Sequence, residues 1–69
     1  MRKKFEIGEE VFFRKVYGES VLVRRAVIDA VQVLRDGSVE YLLKNETQQL
    51  YVKPEEIFTN QDKAVKGRE

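Results

Sequence analysis

The 69-residue sequence contains no cysteine, no histidine and no tryptophan, and it has a single proline. Without cysteine there are no disulfide bonds and no thiolate chemistry, and without histidine as well the common zinc ligand sets are excluded. We therefore predict no metal site and no cofactor. The fold must be held together by noncovalent packing alone, and the core of so short a chain is thin.

The sequence also lacks a long apolar run. Its longest nearly apolar stretch, from Ala26 to Leu34, contains Asp29 and Gln32 and is far shorter than the roughly 20 residues of a transmembrane helix. The basic N-terminus meets Glu6 and Gly8 where a signal peptide needs apolar residues, so we predict no export signal. Since the absence of cysteine fits a reducing compartment, we predict a cytoplasmic protein with no membrane contact.

An excess of charge of one sign is missing too. The net charge is +1, from 13 basic and 12 acidic residues. Such a balance gives no general electrostatic field that would attract a polyanion to the whole molecule. Any nucleic-acid site would therefore have to come from a local cluster of basic side chains.

What the sequence does contain is a series of short β-strands. Val11 to Lys15 has the β-branched and aromatic content of a strand, and Gly8 before it predicts a turn with either a positive φ or a tight approach of the backbone. From Val21 to Leu34, valines recur at odd positions. Because these 14 residues are long for one strand and Asp29 shares the parity of the valines, we predict a bend or bulge near residues 29–30.

Asp36 and Gly37 lie between two alternating apolar runs, which predicts a β-hairpin. A two-residue loop would place polar residues opposite apolar ones on both faces. A three-residue loop that includes Arg35, with Gly37 in the left-handed conformation, sorts the two faces, so we prefer it. This register pairs Val33 with Val39, Val31 with Tyr41 and Gln32 with Glu40.

The second half of the chain predicts two more short strands. Lys44–Gln49 is fully polar and reads as an exposed loop, and Leu50–Val52 follows it as a strand. Pro54 begins a single helical turn, because proline is suited to the first helical position. Ile57–Phe58 then returns to the core as the last strand.

Five short strands in so small a chain favour a closed barrel over a sandwich, since closure removes exposed strand edges. We predict an all-β barrel over residues 1–58, and a short helix or a disordered tail over residues 59–69. Thr59 begins a weak capping box, so the helix would cover residues 60–66 and end at Gly67.

Three motifs resemble SH3-like barrels of the Tudor and KOW kind: Phe5-x-Ile7-Gly8-Glu9-x-Val11, the Asp36-Gly37 hairpin, and Tyr51-Val52-x-Pro54-x-x-Ile57. The resemblance covers residues 5–58 and implies a small five-stranded SH3-like barrel with one helical turn near Pro54. The chain also looks like a set of short bacterial and phage-type proteins that open with a Gly-acid-x-Val-Phe turn. This second resemblance implies no function.

Two known activities of SH3-like barrels are not implied. The chain lacks the tryptophan and the acidic loop of peptide-binding SH3 domains, and it lacks the clustered aromatic residues with which Tudor domains bind methyl-lysine. Asp29 lies among apolar residues, but no histidine, cysteine or second carboxylate at a suitable spacing accompanies it, so we assign no catalytic residue. We predict a binding or accessory module and not an enzyme.

Basic residues form one set of candidate binding residues. The pairs Arg14-Lys15 and Arg24-Arg25 lie on strands that a barrel could bring together, with Tyr17 as a stacking surface. A basic patch beside an aromatic ring is suited to weak, sequence-tolerant binding of nucleic acid. The alternative is a solvated face whose charge nearby glutamates neutralise.

Aromatic residues form the other set. Four of them are needed to fill the interior of a small barrel: Phe5, Phe13, Tyr41 and Phe58. Phe12 and Tyr17 are the exceptions, because strand alternation points Phe12 away from the core and Tyr17 lies in a turn. Exposed aromatic residues and a near-neutral charge favour another protein as the partner, which is our leading hypothesis, with nucleic acid as the alternative.

Overall fold

The computed structural model describes residues 5–68, and within that range the chain is mostly antiparallel β-sheet, as predicted. The residues outside it, 1–4 and Glu69, belong to the predicted ranges 1–58 and 59–69. The elements in chain order are β1 (Glu10–Tyr17), β2 (Ser20–Val33), β3 (Val39–Lys44), β4 (Gln49–Val52), a 3-10 turn (Pro54–Glu56), β5 (Ile57–Phe58) and α1 (Gln61–Lys66).

The five strands form one sheet in the order β4-β3-β2-β1-β5. Consecutive strands from β1 to β4 are neighbours, whereas β5 returns to the far side of β1 after the 3-10 turn. The contact between β5 and β1 is short, since only Phe58 with Phe12 and Ile57 with Phe13 are paired. The helical turn at Pro54 and the short last strand are confirmed.

A bulge divides β2, as the sequence predicted. The register against β3 shifts between Ile28 and Ala30, so that Asp29 is the extra residue. Because a bulge reverses the alternation of side chains, Ile28 lies opposite Leu43 before it and Val31 lies opposite Tyr41 after it. The valines of β2 therefore lie on both faces of the sheet, although they share one parity in the sequence.

The predicted register of the β2–β3 hairpin is confirmed, including the pairs of Val33 with Val39 and Val31 with Tyr41. The backbone N–H of Leu34 donates to the carbonyl of Ser38 at 2.8 Å, which closes a three-residue loop. Gly37 has a φ of +87°, a left-handed conformation that glycine adopts without a Cβ penalty.

The turn before β1 joins the N-terminal segment to β2. The N–H of Gly8, whose φ is +92°, donates to the carbonyl of Ile28 at 2.7 Å, and the N–H of Ile28 donates to the carbonyl of Glu9 at 3.0 Å. Phe5 is thereby placed edge-on to Tyr41, with ring centroids 5.6 Å apart. The positive φ predicted at Gly8 is confirmed.

The core lies on one face of the sheet and is formed by the nine buried residues Phe5, Val11, Phe13, Ala26, Ile28, Tyr41, Leu43, Val52 and Ile57. The prediction that four aromatic side chains fill the interior is confirmed for Phe5, Phe13 and Tyr41. It is wrong for Phe58, although that side chain is also buried, at 3% exposed. Phe58 is not part of this cluster. It lies opposite Phe12, on the other face of the sheet.

We call that other face, which carries Phe12 and Arg14 of β1, the outer face. The helix α1 contacts β1, β2 and β5, and Ala64 of the helix and Phe58 of β5 are both buried there. Asn60 caps the helix by accepting a hydrogen bond from the N–H of Lys63 at 2.9 Å, so the cap is one residue later than the predicted Thr59. Gly67 ends the helix with a φ of +78°.

Candidate functional site

Tyr17 is the last residue of β1, at the end of the β1–β2 hairpin, so the prediction that it lies in a turn is wrong. The hairpin turns through Gly18 and Glu19, with Tyr17 paired to Ser20 and a φ of +61° at Gly18. A positive φ at the first loop position is what the favoured two-residue hairpin turns require. Since β5 pairs with β1 only as far as Phe13, the end of this hairpin extends beyond β5.

Three exposed apolar side chains lie at that end, two on the outer face of the hairpin and one on its opposite face. Val16 and Val21 are directly opposite each other, so their side chains share the outer face, and they are 59% and 48% exposed. Tyr17 follows Val16 in the strand, so its side chain points to the opposite face of the hairpin, and it is 60% exposed. We call Val16, Tyr17 and Val21 the hairpin patch. Tyr17 was a predicted contact residue, whereas the two valines were not recognised.

The position of these two valines on one face could have been predicted from the sequence. Once Gly18 is taken as the first residue of a two-residue loop, Val16 and Val21 must be opposite each other and on one face. Their exposure does not follow from that pairing, because it depends on how far β5 extends along β1.

Arg14 contacts α1 and lies on the outer face. Its Nη1 is 3.4 Å from the carbonyl oxygen of Ala64 and 3.5 Å from that of Val65. These carbonyl groups belong to the last turn of the helix, where the helix dipole favours a positive charge. The predicted phosphate contact at Arg14 thus competes with an intramolecular role.

Lys15 forms an ion pair on the opposite face of β1. Its Nζ is 3.0 Å from Oε1 of Glu56, and both side chains are less than one-third exposed. The same carboxylate oxygen accepts a hydrogen bond from the backbone N–H of Lys53 at 3.1 Å. Lys15 therefore links β1 to the 3-10 turn.

Arg24 and Arg25 are exposed on adjacent positions of β2. Arg25 lies 3.6 Å from Glu10 in an exposed ion pair, a kind that contributes little to stability. Nη1 of Arg24 is 3.1 Å from the carbonyl oxygen of Val23. Neither guanidinium group is held in the buried, multiply bonded geometry of a preformed anion site.

The sheet divides the four predicted basic residues into two pairs. Adjacent residues of a strand point to opposite faces, so Arg14 and Arg25 lie on the outer face while Lys15 and Arg24 lie on the other. Within each pair the two residues are diagonal neighbours across β1 and β2. Arg25 is opposite Phe12, two positions before Arg14, and Arg24 is opposite Phe13, two positions before Lys15. The four side chains do not form one surface.

Phe12 is half-buried on the outer face, between Arg25 of β2 and Phe58 of β5. Its position away from the core, expected from strand alternation, is confirmed. The ring is less exposed than Tyr17 because the outer face near β5 is covered by α1. Phe12 therefore belongs mainly to the packing beneath the helix.

A shallow depression of about 430 Å³ lies beside the bulge and the β3–β4 turn. It is lined by Val27, Asp29, Lys44, Asn45 and Glu46. Asn45 shapes the turn, because its Oδ1 accepts hydrogen bonds from the N–H groups of Thr47 and Gln48. The depression is open to solvent and encloses no buried polar group.

Within residues 5–68, no helix is both long and apolar enough to cross a membrane. The same residues contain no group of three or more acidic side chains placed to hold a metal ion. Comparisons of the chain with protein-family models, with curated proteins and with solved structures found no match.

Proposed function

We propose that the chain is a non-catalytic binding or accessory module that contacts another protein through the hairpin patch. The observation that carries this proposal is the exposure of Val16, Tyr17 and Val21 on neighbouring positions at the end of one hairpin. Grouped exposed apolar side chains are typical of interaction sites, whereas single exposed ones are common on any surface. A partner that encloses this projecting end would contact the two valines on one face of the hairpin and Tyr17 on the other.

We further propose that the described residues up to Phe58 form an SH3-like barrel, to which α1 is appended. The strand order β4-β3-β2-β1-β5, the bulge at Asp29 and the 3-10 turn before β5 support this assignment. A bulge in a long second strand allows it to serve both halves of a small barrel. A cytoplasmic location stays a prediction that rests on the lack of cysteine.

Weak nucleic-acid binding stays the alternative function. The structure gives it less support than the sequence did, because Arg14 and Lys15 make intramolecular contacts and the four basic residues lie on two faces. A titration of isotope-labelled protein with short DNA and RNA, at low and moderate salt, tests it. Binding that shifts the amides of Arg14 and Arg24 together and fades with salt would favour nucleic acid.

Affinity capture from the cells that make the protein tests the leading proposal. We expect Val16→Lys with Val21→Lys to abolish recovery of a protein that the wild type retains. Val33→Lys is the matched control, because Val33 is an exposed valine at the other end of β2. Equal recovery with both variants would contradict the proposal, once all three proteins are shown to be folded by their amide spectra.

A further inference from the structure

The strand β4 forms one edge of the sheet, and its outward backbone groups can be identified from the β3–β4 turn. The N–H of Asn45 donates to the carbonyl of Gln48 at 3.0 Å, which makes these two residues a hydrogen-bonded pair. Hydrogen-bonded and non-hydrogen-bonded pairs alternate along an antiparallel ladder. Gln49 and Tyr51 are therefore non-hydrogen-bonded with β3, and their N–H and C=O groups point away from it.

This edge has no strand beside it among the described residues. It is also short, because both ends are closed by local contacts. The N–H of Lys53 donates to the Glu56 side chain at one end, and the N–H of Thr47 donates to the Asn45 side chain at the other. The backbone groups available to another chain are those of Gln49 and Tyr51. Only an extended strand presents donors and acceptors at the matching spacing.

We propose that the occupant of this edge is β4 of a second copy of the chain, paired antiparallel about a two-fold axis at Leu50. In this register Gln49 lies opposite the partner's Tyr51, and Tyr51 lies opposite the partner's Gln49. Each of these pairs exchanges two hydrogen bonds, so every outward group of Gln49 and Tyr51 is satisfied. The proposal does not depend on the hairpin patch, which is on another part of the molecule.

The neighbouring registers are less favourable. A two-fold axis at Tyr51 would place Gln49 opposite the partner's Lys53, whose N–H is already bonded to Glu56. A two-fold axis at Gln49 would place Tyr51 opposite the partner's Thr47, whose N–H is bonded within the turn.

Charge complementarity favours the Leu50-centred register. It brings Lys53, the residue after β4, to the partner's β3–β4 turn, which carries the partner's Glu46. Both side chains are exposed, and neither takes part in an ion pair within residues 5–68. A net charge of only +1 on each copy adds little general repulsion. We expect a weak dimer that depends on concentration, since the contact is small compared with permanent interfaces.

Sedimentation equilibrium of the full chain, from micromolar to millimolar concentration and without any other protein, tests the proposal. We expect the wild type to dimerise and Gln49→Pro to stay monomeric. Proline removes an outward N–H there without breaking a bond to β3, so the fold is retained. Gln49→Ala is the control, because it keeps the backbone N–H and should still dimerise.

A charge exchange tests the register. Lys53→Glu should weaken the dimer at least severalfold, because the new carboxylate would lie near the partner's Glu46, and addition of Glu46→Lys should restore the dimer. A monomeric wild type at millimolar concentration would overturn the proposal. So would a dimer that Gln49→Pro leaves intact, or a Lys53→Glu defect that Glu46→Lys does not rescue. None of these results bears on capture of a protein by the hairpin patch.

Discussion

The guanidinium group of Arg14 lies against Gly67, so closely that a Cβ atom at position 67 would come within 2.9 Å of Nη1 of Arg14. The same nitrogen is 3.4 Å from the carbonyl oxygen of Ala64, 50 positions away in the sequence. A helix of six residues is marginal by itself. Its position on the outer face therefore depends on Arg14, on the Asn60 cap and on the burial of Ala64.

The first prediction concerns the coupling of these two residues. Gly67→Ala should destabilise the fold by roughly 1–2 kcal/mol through its left-handed backbone, and further by displacing Arg14. In an Arg14→Ala background, only the backbone cost remains. Urea unfolding of the two single variants and the double variant measures the difference. Gly18→Ala is the control, since it has a positive φ but no described atom within 4 Å.

An equal cost of Gly67→Ala in both backgrounds would show that Arg14 does not hold the end of α1. The guanidinium would then be available to an anionic ligand, and the alternative of nucleic-acid binding would gain support. A smaller cost in the Arg14→Ala background would confirm the contact.

The second prediction concerns the packing beneath the helix. Phe58 is 3% exposed on the outer face, where Ala64 is fully buried. We expect Phe58→Ala to lower the free energy of unfolding by about 3–5 kcal/mol, and Phe58→Leu to lower it less. Val65→Ala, at a side chain of the same helix that is 59% exposed, should have almost no effect. Urea unfolding that ranks Val65→Ala with Phe58→Ala would contradict this packing.

The third prediction concerns Glu56, whose Oε1 accepts hydrogen bonds from Lys15 and from the backbone N–H of Lys53. Glu56→Ala removes both bonds, whereas Lys15→Met removes only one and keeps the apolar stem. At about 1 kcal/mol for each bond, Glu56→Ala should be the more destabilising of the two in thermal unfolding. If Lys15→Met is equally destabilising, the backbone bond to Lys53 contributes nothing.

The fourth prediction concerns Asp36 in the β2–β3 hairpin. Its Oδ1 accepts hydrogen bonds from the hydroxyl of Ser38 at 2.6 Å and from the N–H of Ser38 at 2.9 Å. These bonds favour the charged carboxylate and hold the pKa of Asp36 below its ordinary value of 3.8. The stabilisation is therefore present above pH 3.8 and is lost as the pH falls through the lower, folded pKa.

An NMR titration of the Asp36 carboxyl carbon checks this sign. The midpoint should lie below 3.8, and Ser38→Ala should raise it part of the way, because the backbone N–H donor remains. A midpoint at or above 3.8 in the wild type would exclude the two hydrogen bonds in solution.

Local features of the chain could be predicted from the sequence where side-chain pattern and backbone geometry agree. The register of the β2–β3 hairpin followed from the polarity of the residues around Gly37, and the bulge followed from Asp29 sharing the parity of the valines. Both predictions are confirmed. They could be made because each feature depends on residues that are close together in the sequence. The 3-10 turn at Pro54 is confirmed for the same reason.

Features that depend on long-range packing could not be predicted. The sequence indicated that Phe58 is buried, but the pattern of a two-residue strand does not reveal on which face of the sheet its side chain lies. The contact of Arg14 with α1 joins distant parts of the chain. By contrast, the division of the basic residues between two faces could have been predicted, since Arg14 and Lys15 are adjacent on one strand.

The most direct test of a protein partner at the hairpin patch is photo-cross-linking with a photo-reactive phenylalanine analogue at position 17, in the cells that make the protein. A second chain with the analogue at position 33 serves as the control, because Val33 is exposed at the other end of β2. We predict one discrete adduct with another protein from position 17 and none from position 33. No adduct from position 17, or the same adducts from both positions, would contradict the proposed function.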